Sequence, residues 1–130
     1  MALVVNYRFT QADLGEQLAY LSDQAIDSLD FGVIGFDADT VVTRYNEFES
    51  KAAGLRPIQV IGHPLFSVVA PCMNNFMVAQ RFDDASDAGE VLDVIIDYVL
   101  SLRMRPVKVA LRMLATPLSD TRYVLVKRAV

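Results

Sequence analysis

The side chains best suited to chemistry in this 130-residue sequence are the thiol of Cys72 and, earlier in the chain, the phenol of Tyr45 and the carboxyl group of Glu49. Cys72 is the single cysteine, and it follows Pro71 at the end of the apolar run LFSVVAPC. A thiolate is a strong nucleophile and metal ligand. A free cysteine after an apolar run is also typical of a small buried hydrophobic residue. The residue alone leaves both interpretations open.

Enzymatic or metal-binding use of Cys72 finds no support in the sequence. A nucleophilic cysteine requires a nearby base, and a zinc site requires about four ligands. The only histidine, His63, lies nine residues before Cys72, ahead of an apolar turn. We expect His63 to be an exposed loop residue. Since no phosphate-binding loop is present either, the sequence predicts neither an enzyme nor a metal centre.

Tyr45 and Glu49 lie four residues apart, where a predicted strand gives way to a predicted helix. Asn46 and Glu49 have the spacing of a capping box, which is enough to account for the carboxylate. On spacing alone, Tyr45 is a strand-end aromatic residue whose hydroxyl faces water. A structural role therefore stands beside a functional one for both residues.

The composition is typical of one folded domain. Hydrophobic residues make up 53% of the chain and charged residues 22%, with a mean hydropathy of +0.30. The net charge of −4 and the absence of a basic stripe argue against nucleic acid as a partner. No apolar run approaches the ~20 residues of a membrane span, and the N-terminal residues do not resemble a signal peptide. Because one cysteine excludes an internal disulfide, we expect a cytoplasmic protein, or one module of a longer protein.

The N-terminal part of the chain predicts a helix followed by a β-hairpin. The helix covers residues 10–21, is capped by Thr10, and is followed by a short helical turn at 23–29. The hairpin consists of FGVIGFD (31–37) and VVTRYN (41–46), joined by the turn DADT.

Short helical segments occupy the middle of the chain. We expect a helix capped by Asn46 and closed by Gly54, because these residue types are typical of the two helix ends. Pro57 and Pro64 each predict the start of a helical turn. A longer helix is predicted over 74–89, with one stripe formed by Phe76, Ala79 and Phe82.

Three β-rich runs, at 91–102, 107–118 and 122–130, complete the sequence. Short links between them favour antiparallel neighbours. The predicted fold is α+β and PAS-like, with a central antiparallel sheet of five to six strands flanked by helices that lie mainly on one face. We expect one domain over 1–130, with an N-terminal helical cap at 1–30 and a PAS core at 31–130.

Taken together, several segments resemble the photoactive yellow protein family between Phe31 and Val130. The most specific feature is VAPC, at residues 69–72, combined with its spacing back to Tyr45 and Glu49. The other segments are FGVIGFD, Gly54, VIG (60–62), LFSVVAPC, Met104-x-Pro106 and the ending VLVKRAV.

The resemblance implies a blue-light photoreceptor in which Cys72 carries p-coumaric acid (4-hydroxycinnamic acid) through a thioester. Tyr45 and a protonated Glu49 would hydrogen-bond the buried phenolate, and the backbone N–H of Cys72 would bind the thioester carbonyl. Light would drive trans–cis isomerisation, after which Glu49 would pass its proton to the phenolate. The resemblance further implies pocket positions at Ile34, Leu65, Val69, Ala70, Pro71 and Met104, the last of which would assist thermal recovery.

The sequence departs from the family pattern around this pocket. Ala53 replaces a threonine that supports the tyrosine hydroxyl, and Leu55 replaces an arginine that covers the pocket, with Arg56 beside it. Leu65 and Leu102 stand where Phe and Tyr are expected. The segment between Cys72 and Met104 is one residue longer, so no role is assigned to Tyr98 or Leu100. We therefore expect an altered colour and recovery rate.

In two alternatives to the photoreceptor, Cys72 carries no covalent group. One is a PAS interaction module in which Cys72 is bare and not photoactive, and the other is a PAS sensor that binds a small ligand without a covalent bond. For the photoreceptor, we expect residues 1–30 to move most on illumination and to act on a downstream signalling protein that the sequence does not identify. We expect no nucleic acid or membrane partner, and a monomer or weak dimer.

Overall fold

An antiparallel sheet of five strands forms the centre of the fold in the described part of the chain. The structure is a computed structural model that describes residues 7–102 and 105–128. The strands are β1 (Gly32–Phe36), β2 (Val42–Tyr45), β3 (Leu92–Leu102), β4 (Arg105–Ala115) and β5 (Arg122–Arg128). Their order in the sheet is β2-β1-β5-β4-β3. The prediction of an α+β fold with an antiparallel sheet is confirmed.

Five α-helices, one π-helical turn and one 3₁₀ turn surround the sheet in the described ranges. They are α1 (Leu14–Tyr20), α2 (Asp23–Ile26), α3 (Glu47–Ala53), α4 (Pro57–Val60), a π-helical turn (Leu65–Val69), a 3₁₀ turn (Pro71–Met73) and α5 (Ala79–Ala88). Within residues 7–102 and 105–128, no helix has the length and apolar character required to cross a bilayer.

The predicted ends of α3 and the start of α4 are confirmed. The Oδ1 of Asn46 accepts a hydrogen bond from the N–H of Glu49 at 3.2 Å, which caps α3. Gly54 ends the helix with a φ of 73°, a conformation that costs little without a Cβ. Pro57 occupies the first turn of α4, where its missing N–H is not needed.

The prediction that Thr10 caps the first helix is wrong. The helix begins at Leu14, because two separate turns precede it. The N–H of Gln11 donates to the carbonyl oxygen of Arg8, and the N–H of Leu14 donates to that of Gln11. Asp13, just before the helix, accepts hydrogen bonds from the side chains of Gln11 and Gln17 and does not cap a backbone N–H. Leu14, the first helical residue, is fully buried.

The prediction that Phe76 lies on a buried helical stripe is also wrong. The Oδ1 of Asn75 accepts hydrogen bonds from the N–H groups of Met77 and Val78, so this segment forms a turn. Helix α5 therefore begins at Ala79, and Phe76 is 78% exposed. Phe82, inside the helix, is buried as expected.

Two apolar clusters lie on opposite faces of the sheet. Alternation along β5 places Val124 and Val126 in one cluster and Tyr123 and Leu125 in the other. The first cluster also contains residues of the central helical segments. The second contains Leu14 and other residues of α1 and α2. The chain ahead of β1, residues 7–30, is called the N-terminal segment, and it packs on the face opposite α5.

Arg112 fastens the beginning of the N-terminal segment to the sheet. Its Nη1 donates to the carbonyl oxygens of Phe9 at 2.9 Å and Gln11 at 2.7 Å. Its Nε and Nη2 donate to the two carboxylate oxygens of Asp93, each at 2.9 Å. The guanidinium thus joins strands β3 and β4 to the chain ahead of α1.

Arg44 fastens the end of α1 in a similar manner. Its Nη1 donates to the carbonyl oxygen of Leu18 at 2.9 Å, and its Nη2 donates to that of Leu21 at 2.6 Å. The same side chain contacts the hydroxyl of Tyr123 and the carboxylate of Asp23. Two arginines therefore bind four backbone carbonyls of the N-terminal segment.

Candidate functional site

Tyr45 lies at the end of β2, directly opposite Ile34 of β1 in the antiparallel register. The two residues are 5% and 3% exposed, respectively, so Tyr45 is a buried residue. Burial and the neighbouring charge of Glu49 raise the pKa of Tyr45, although Arg128 opposes this. In the described part of the chain, no residue hydrogen-bonds the Tyr45 hydroxyl, which leaves it available as a donor.

Glu49 lies in the first turn of α3, with its carboxylate against the backbone of β1. The side chain is 3% exposed, and a Cβ added to Gly32 would collide with its Oε1. Arg128, at the end of β5, binds both carboxylate oxygens, with Nη1–Oε1 at 2.6 Å and Nη2–Oε2 at 3.0 Å. Such a bidentate pair is both strong and directional.

Glu49 does not complete the capping box that its spacing predicts. The N–H of Asn46 donates to the carbonyl of Val33 at 3.1 Å, while the Glu49 carboxylate binds Arg128. Burial raises the pKa of Glu49, and the hydrogen bond and charge of Arg128 lower it without cancelling that effect. Burial alone would lower the pKa of Arg128, but the hydrogen bond and charge of Glu49 raise it above its ordinary value.

Asn46 links this region to the N-terminal segment. Its side chain is fully buried, and its Nδ2 donates to the carbonyl oxygens of Ile26 at 2.9 Å and Phe31 at 3.0 Å. Its Oδ1 accepts from the N–H of Val33 at 2.9 Å, in addition to capping α3. One amide thus connects α2, β1 and the helix that carries Glu49.

Cys72 is the middle residue of the 3₁₀ turn, half-buried against the larger apolar cluster. Its carbonyl oxygen accepts hydrogen bonds from the Tyr98 hydroxyl at 2.5 Å and from Nδ2 of Asn75 at 3.2 Å. That amide also donates to the Tyr98 oxygen at 2.6 Å. Within residues 7–102 and 105–128, no acceptor pairs with the backbone N–H of Cys72.

One apolar cluster contains most of the residues that the sequence singled out. Four of them are buried in it and three are partly buried against it. The buried four are Ile34, Tyr45, Leu65 and Ala70, and the partly buried three are Leu55, Val69 and Cys72. Tyr98 and Leu100, to which the sequence assigned no role, belong to the same cluster.

The remaining predicted residues lie around this cluster. Ala53 is half-buried and lines a cavity of about 250 Å³ together with Leu100 and Arg128. Pro71 is exposed and begins the turn that carries Cys72. Met104 lies outside the described residues. His63 is exposed, as predicted, and no group of metal-ligating side chains occurs in the ranges that the structure describes.

Arg128, Tyr98 and Asn75 are the residues that sequence reasoning missed. Arg128 lies 79 positions from Glu49, so no local pattern relates them. Tyr98 and Asn75 meet only because β3 passes the 3₁₀ turn.

Comparison with known proteins decides the family. No protein-family model matches the chain. The photoactive yellow protein of Halochromatium salexigens is 35% identical over 120 residues, which is 92% of this chain and 95% of that protein. The chain belongs to the photoactive yellow protein family. The resemblance read from the sequence is therefore confirmed.

Solved structures agree with this assignment. The photoactive yellow protein domain of the sensor histidine kinase Ppr from Rhodospirillum centenum matches with a TM-score of 0.80 and 33% identity, covering 88% of this chain and 99% of that one. A PAS domain from an HTR-like protein of Haloarcula marismortui matches with a TM-score of 0.58 at 13% identity, over 88% of this chain and 99% of that chain, and shows the fold alone. The PAS-like fold is confirmed, and the matched relatives are photoactive yellow proteins and sensor domains.

Proposed function

We propose that this domain is a blue-light photoreceptor in which Cys72 carries p-coumaric acid through a thioester. Family membership supports the proposal. The observation that carries it is that Cys72 borders the same apolar cluster that buries Tyr45, beside the buried carboxyl group of Glu49. Among the described residues, the Tyr45 hydroxyl has no hydrogen-bond partner.

The donors around Cys72 fit a thioester. Tyr98 and Asn75 bind the Cys72 carbonyl and hold the turn in place, while the N–H of the same residue has no partner among the described residues. A buried carbonyl without a donor is costly, and this N–H is available to supply one.

The donors around Tyr45 fit a phenolate oxygen. A buried anion requires hydrogen bonds, and hydroxyl donors to an anion form short, strong ones. The Tyr45 hydroxyl is unbonded in the described part of the chain, and burial raises the pKa of Glu49, which favours the protonated form that donates. When bound, the p-coumaroyl group supplies blue-light absorption and trans–cis isomerisation. The protein then moves the proton held at the Glu49 carboxyl oxygen.

Two substitutions in this chain tune the proposed site. Ala53 offers no hydroxyl to Tyr45, in keeping with a Tyr45 hydroxyl that has no partner within residues 7–102 and 105–128. Leu55 packs half-buried on the apolar cluster and has no polar side-chain atom. Arg56, beside it, is exposed. We therefore expect a colour and recovery rate that differ from those of family members with threonine and arginine at these positions.

The signal is proposed to leave through the N-terminal segment. Asn46 connects the helix that carries Glu49 to Ile26 and Phe31, so a change at Glu49 reaches that segment through one side chain. We propose that a cytoplasmic signalling protein recognises the displaced segment.

Acylation of the purified protein tests the proposal. Incubation with an activated ester of p-coumaric acid should add the mass of one p-coumaroyl group and produce a visible absorption band. Cys72→Ser should abolish both, while His63→Gln, an exposed change nearby, should leave both intact. Wild-type protein that stays unmodified under conditions that acylate a free thiol peptide contradicts the proposal and favours a PAS module in which Cys72 is bare.

A further inference from the structure

The pair of Glu49 and Arg128 joins two elements that are distant in sequence. Antiparallel pairing of Gly32 with Val126 sets β5 beside β1, so Arg128 extends past the start of β1, where α3 packs. There the guanidinium meets the carboxylate through two N–H···O bonds of 2.6 and 3.0 Å. The Glu49 carboxyl group thus has a dedicated cationic partner in this geometry.

We propose that Arg128 is the built-in counter-ion of Glu49 and pairs with its carboxylate once Glu49 has given up its proton. This inference rests on the proposed function, because that function makes the phenolate oxygen of the chromophore the acceptor of the proton. An ionised carboxylate in an apolar interior is costly unless it is paired. Arg128 supplies that pairing, so the Glu49 carboxylate that remains after proton transfer is not left unpaired.

The groups that face Glu49 leave Arg128 as its one cationic neighbour among the described residues. Strand β2 presents the phenol of Tyr45, and β1 presents Gly32, which has no side chain. On α3 itself, Glu47 and Lys51 pair with each other at 3.0 Å on the exposed side of the helix. The electrostatics of Glu49 are therefore set by burial, Tyr45 and Arg128.

Arg128 also borders a space into which it can withdraw. The cavity of about 250 Å³ beside it is lined by the cations Lys51 and Arg105 and by apolar Leu100 and Val107. Arg128 is 17% exposed at its side chain, whereas Glu49 is 3% exposed. When Glu49 is protonated and donates to another oxygen, Arg128 turns toward this cavity and water. When Glu49 ionises, Arg128 returns to it.

The experiment uses the chromophore-free protein, so that it does not depend on acylation. The infrared C=O band of the protonated Glu49 carboxyl group, assigned by its loss in Glu49→Gln, is followed against pH. Arg128→Gln should raise the midpoint of this band by about 1–3 pH units, as expected on loss of an adjacent cation. Arg128→Lys, which keeps the charge without the two-pronged geometry, should give a smaller rise.

Arg105→Gln is the matched control, since it removes a cation from the same cavity that does not bond Glu49. Its midpoint should equal that of the wild type. Equal midpoints for wild type, Arg128→Gln and Arg128→Lys overturn the inference, as does an equal rise in Arg105→Gln. If Arg128→Gln does not fold, as judged by circular dichroism, the comparison of Arg128→Lys with wild type decides.

The light-driven part is tested on acylated protein. Arg128→Gln should recover faster in darkness, by up to about tenfold for each pH unit of midpoint rise, because Glu49 regains its proton more readily. A raised midpoint with unchanged recovery overturns the counter-ion role after illumination. Failure of acylation overturns the proposed function instead, and leaves the titration of Glu49 in the unmodified chain as the separate test of its pairing.

Discussion

The hydroxyl of Tyr98 donates a hydrogen bond of 2.5 Å to the carbonyl oxygen of Cys72. Through this bond, strand β3 fixes the 3₁₀ turn that carries the thiol, and the Nδ2 of Asn75 ties the two residues together. Because the carbonyl is occupied from one side, the turn presents its N–H and its thiol in a constant direction.

Tyr98→Phe should loosen this turn. Loss of the hydrogen bond should lower the free energy of unfolding by about 0.5–1.5 kcal/mol, the usual net value for one such bond. Urea unfolding measures the loss, and hydrogen exchange should show weaker protection of the amides of Met73 and Asn74, which close the turn. Tyr20→Phe is the control, because Tyr20 is 87% exposed, and its stability should match that of wild type. Equal stability of Tyr98→Phe and Tyr20→Phe would contradict the anchoring role.

Gly32→Ala should displace Glu49. The added Cβ collides with the carboxylate, and overpacking of this kind costs about 1–3 kcal/mol. Chemical denaturation should therefore show a lower free energy of unfolding, together with an altered carboxyl infrared band. Gly15→Ala serves as the control: its Cβ meets Leu114 at an ordinary 3.5 Å, and alanine should stabilise α1 by about 0.5–1 kcal/mol. A Gly32→Ala protein as stable as wild type would show that the carboxylate is free to move.

Arg112→Lys should release the chain ahead of α1. Lysine cannot bind Asp93 through two nitrogens while also reaching the carbonyls of Phe9 and Gln11, so buried acceptors lose their donors at a cost of about 1–3 kcal/mol. Hydrogen exchange should become faster in 8–14 before it changes in β1 and β5. Arg105→Lys, at an exposed position of the same strand, should leave exchange unchanged. Uniform loss of protection across the whole chain would argue against a separately releasable segment.

The raised pKa of Glu49 predicts a pH dependence of stability. Since the folded state holds this proton more tightly than the unfolded state, the stability that Glu49 contributes is present below the unfolded pKa and is lost as pH rises through the folded pKa. The difference in unfolding free energy between wild type and Glu49→Gln should therefore be most favourable to wild type in acid. It should decline with rising pH by at most about 1.4 kcal/mol per unit. Chemical denaturation between pH 4 and 8 measures this difference, and Glu47→Gln, an exposed change on the same helix, is the control. If the advantage of wild type over Glu49→Gln grows as pH rises, the sign assigned to Glu49 is wrong.

The sequence was sufficient for the features that local rules determine. The strands follow from runs of β-branched and aromatic residues, and the ends of α3 follow from the Asn46 amide and the conformational freedom of Gly54. The failures at Thr10 and Phe76 have a local cause as well. Side chains of Gln11 and Asn75 form competing turns that delay the start of each helix.

Long-range pairing explains what sequence reasoning did not reach at the site. The Asn46-x-x-Glu49 spacing predicts a capping box, yet the Glu49 carboxylate binds Arg128, which approaches only because β5 lies next to β1 in the sheet. The resemblance to a family placed Cys72, Tyr45 and Glu49 in one site, and their proposed roles remain predictions. The partners of Tyr98 likewise depend on strand order and not on spacing.

Illumination of the acylated protein tests the central claim most directly. A visible absorption band should bleach under blue light and return in darkness, and Tyr45→Phe and Glu49→Gln should each shift its position, because each removes a proposed donor to the phenolate. A protein that carries the group on Cys72 but absorbs only as a neutral phenol, with a spectrum unchanged by blue light, would contradict the assignment of this domain as a photoreceptor.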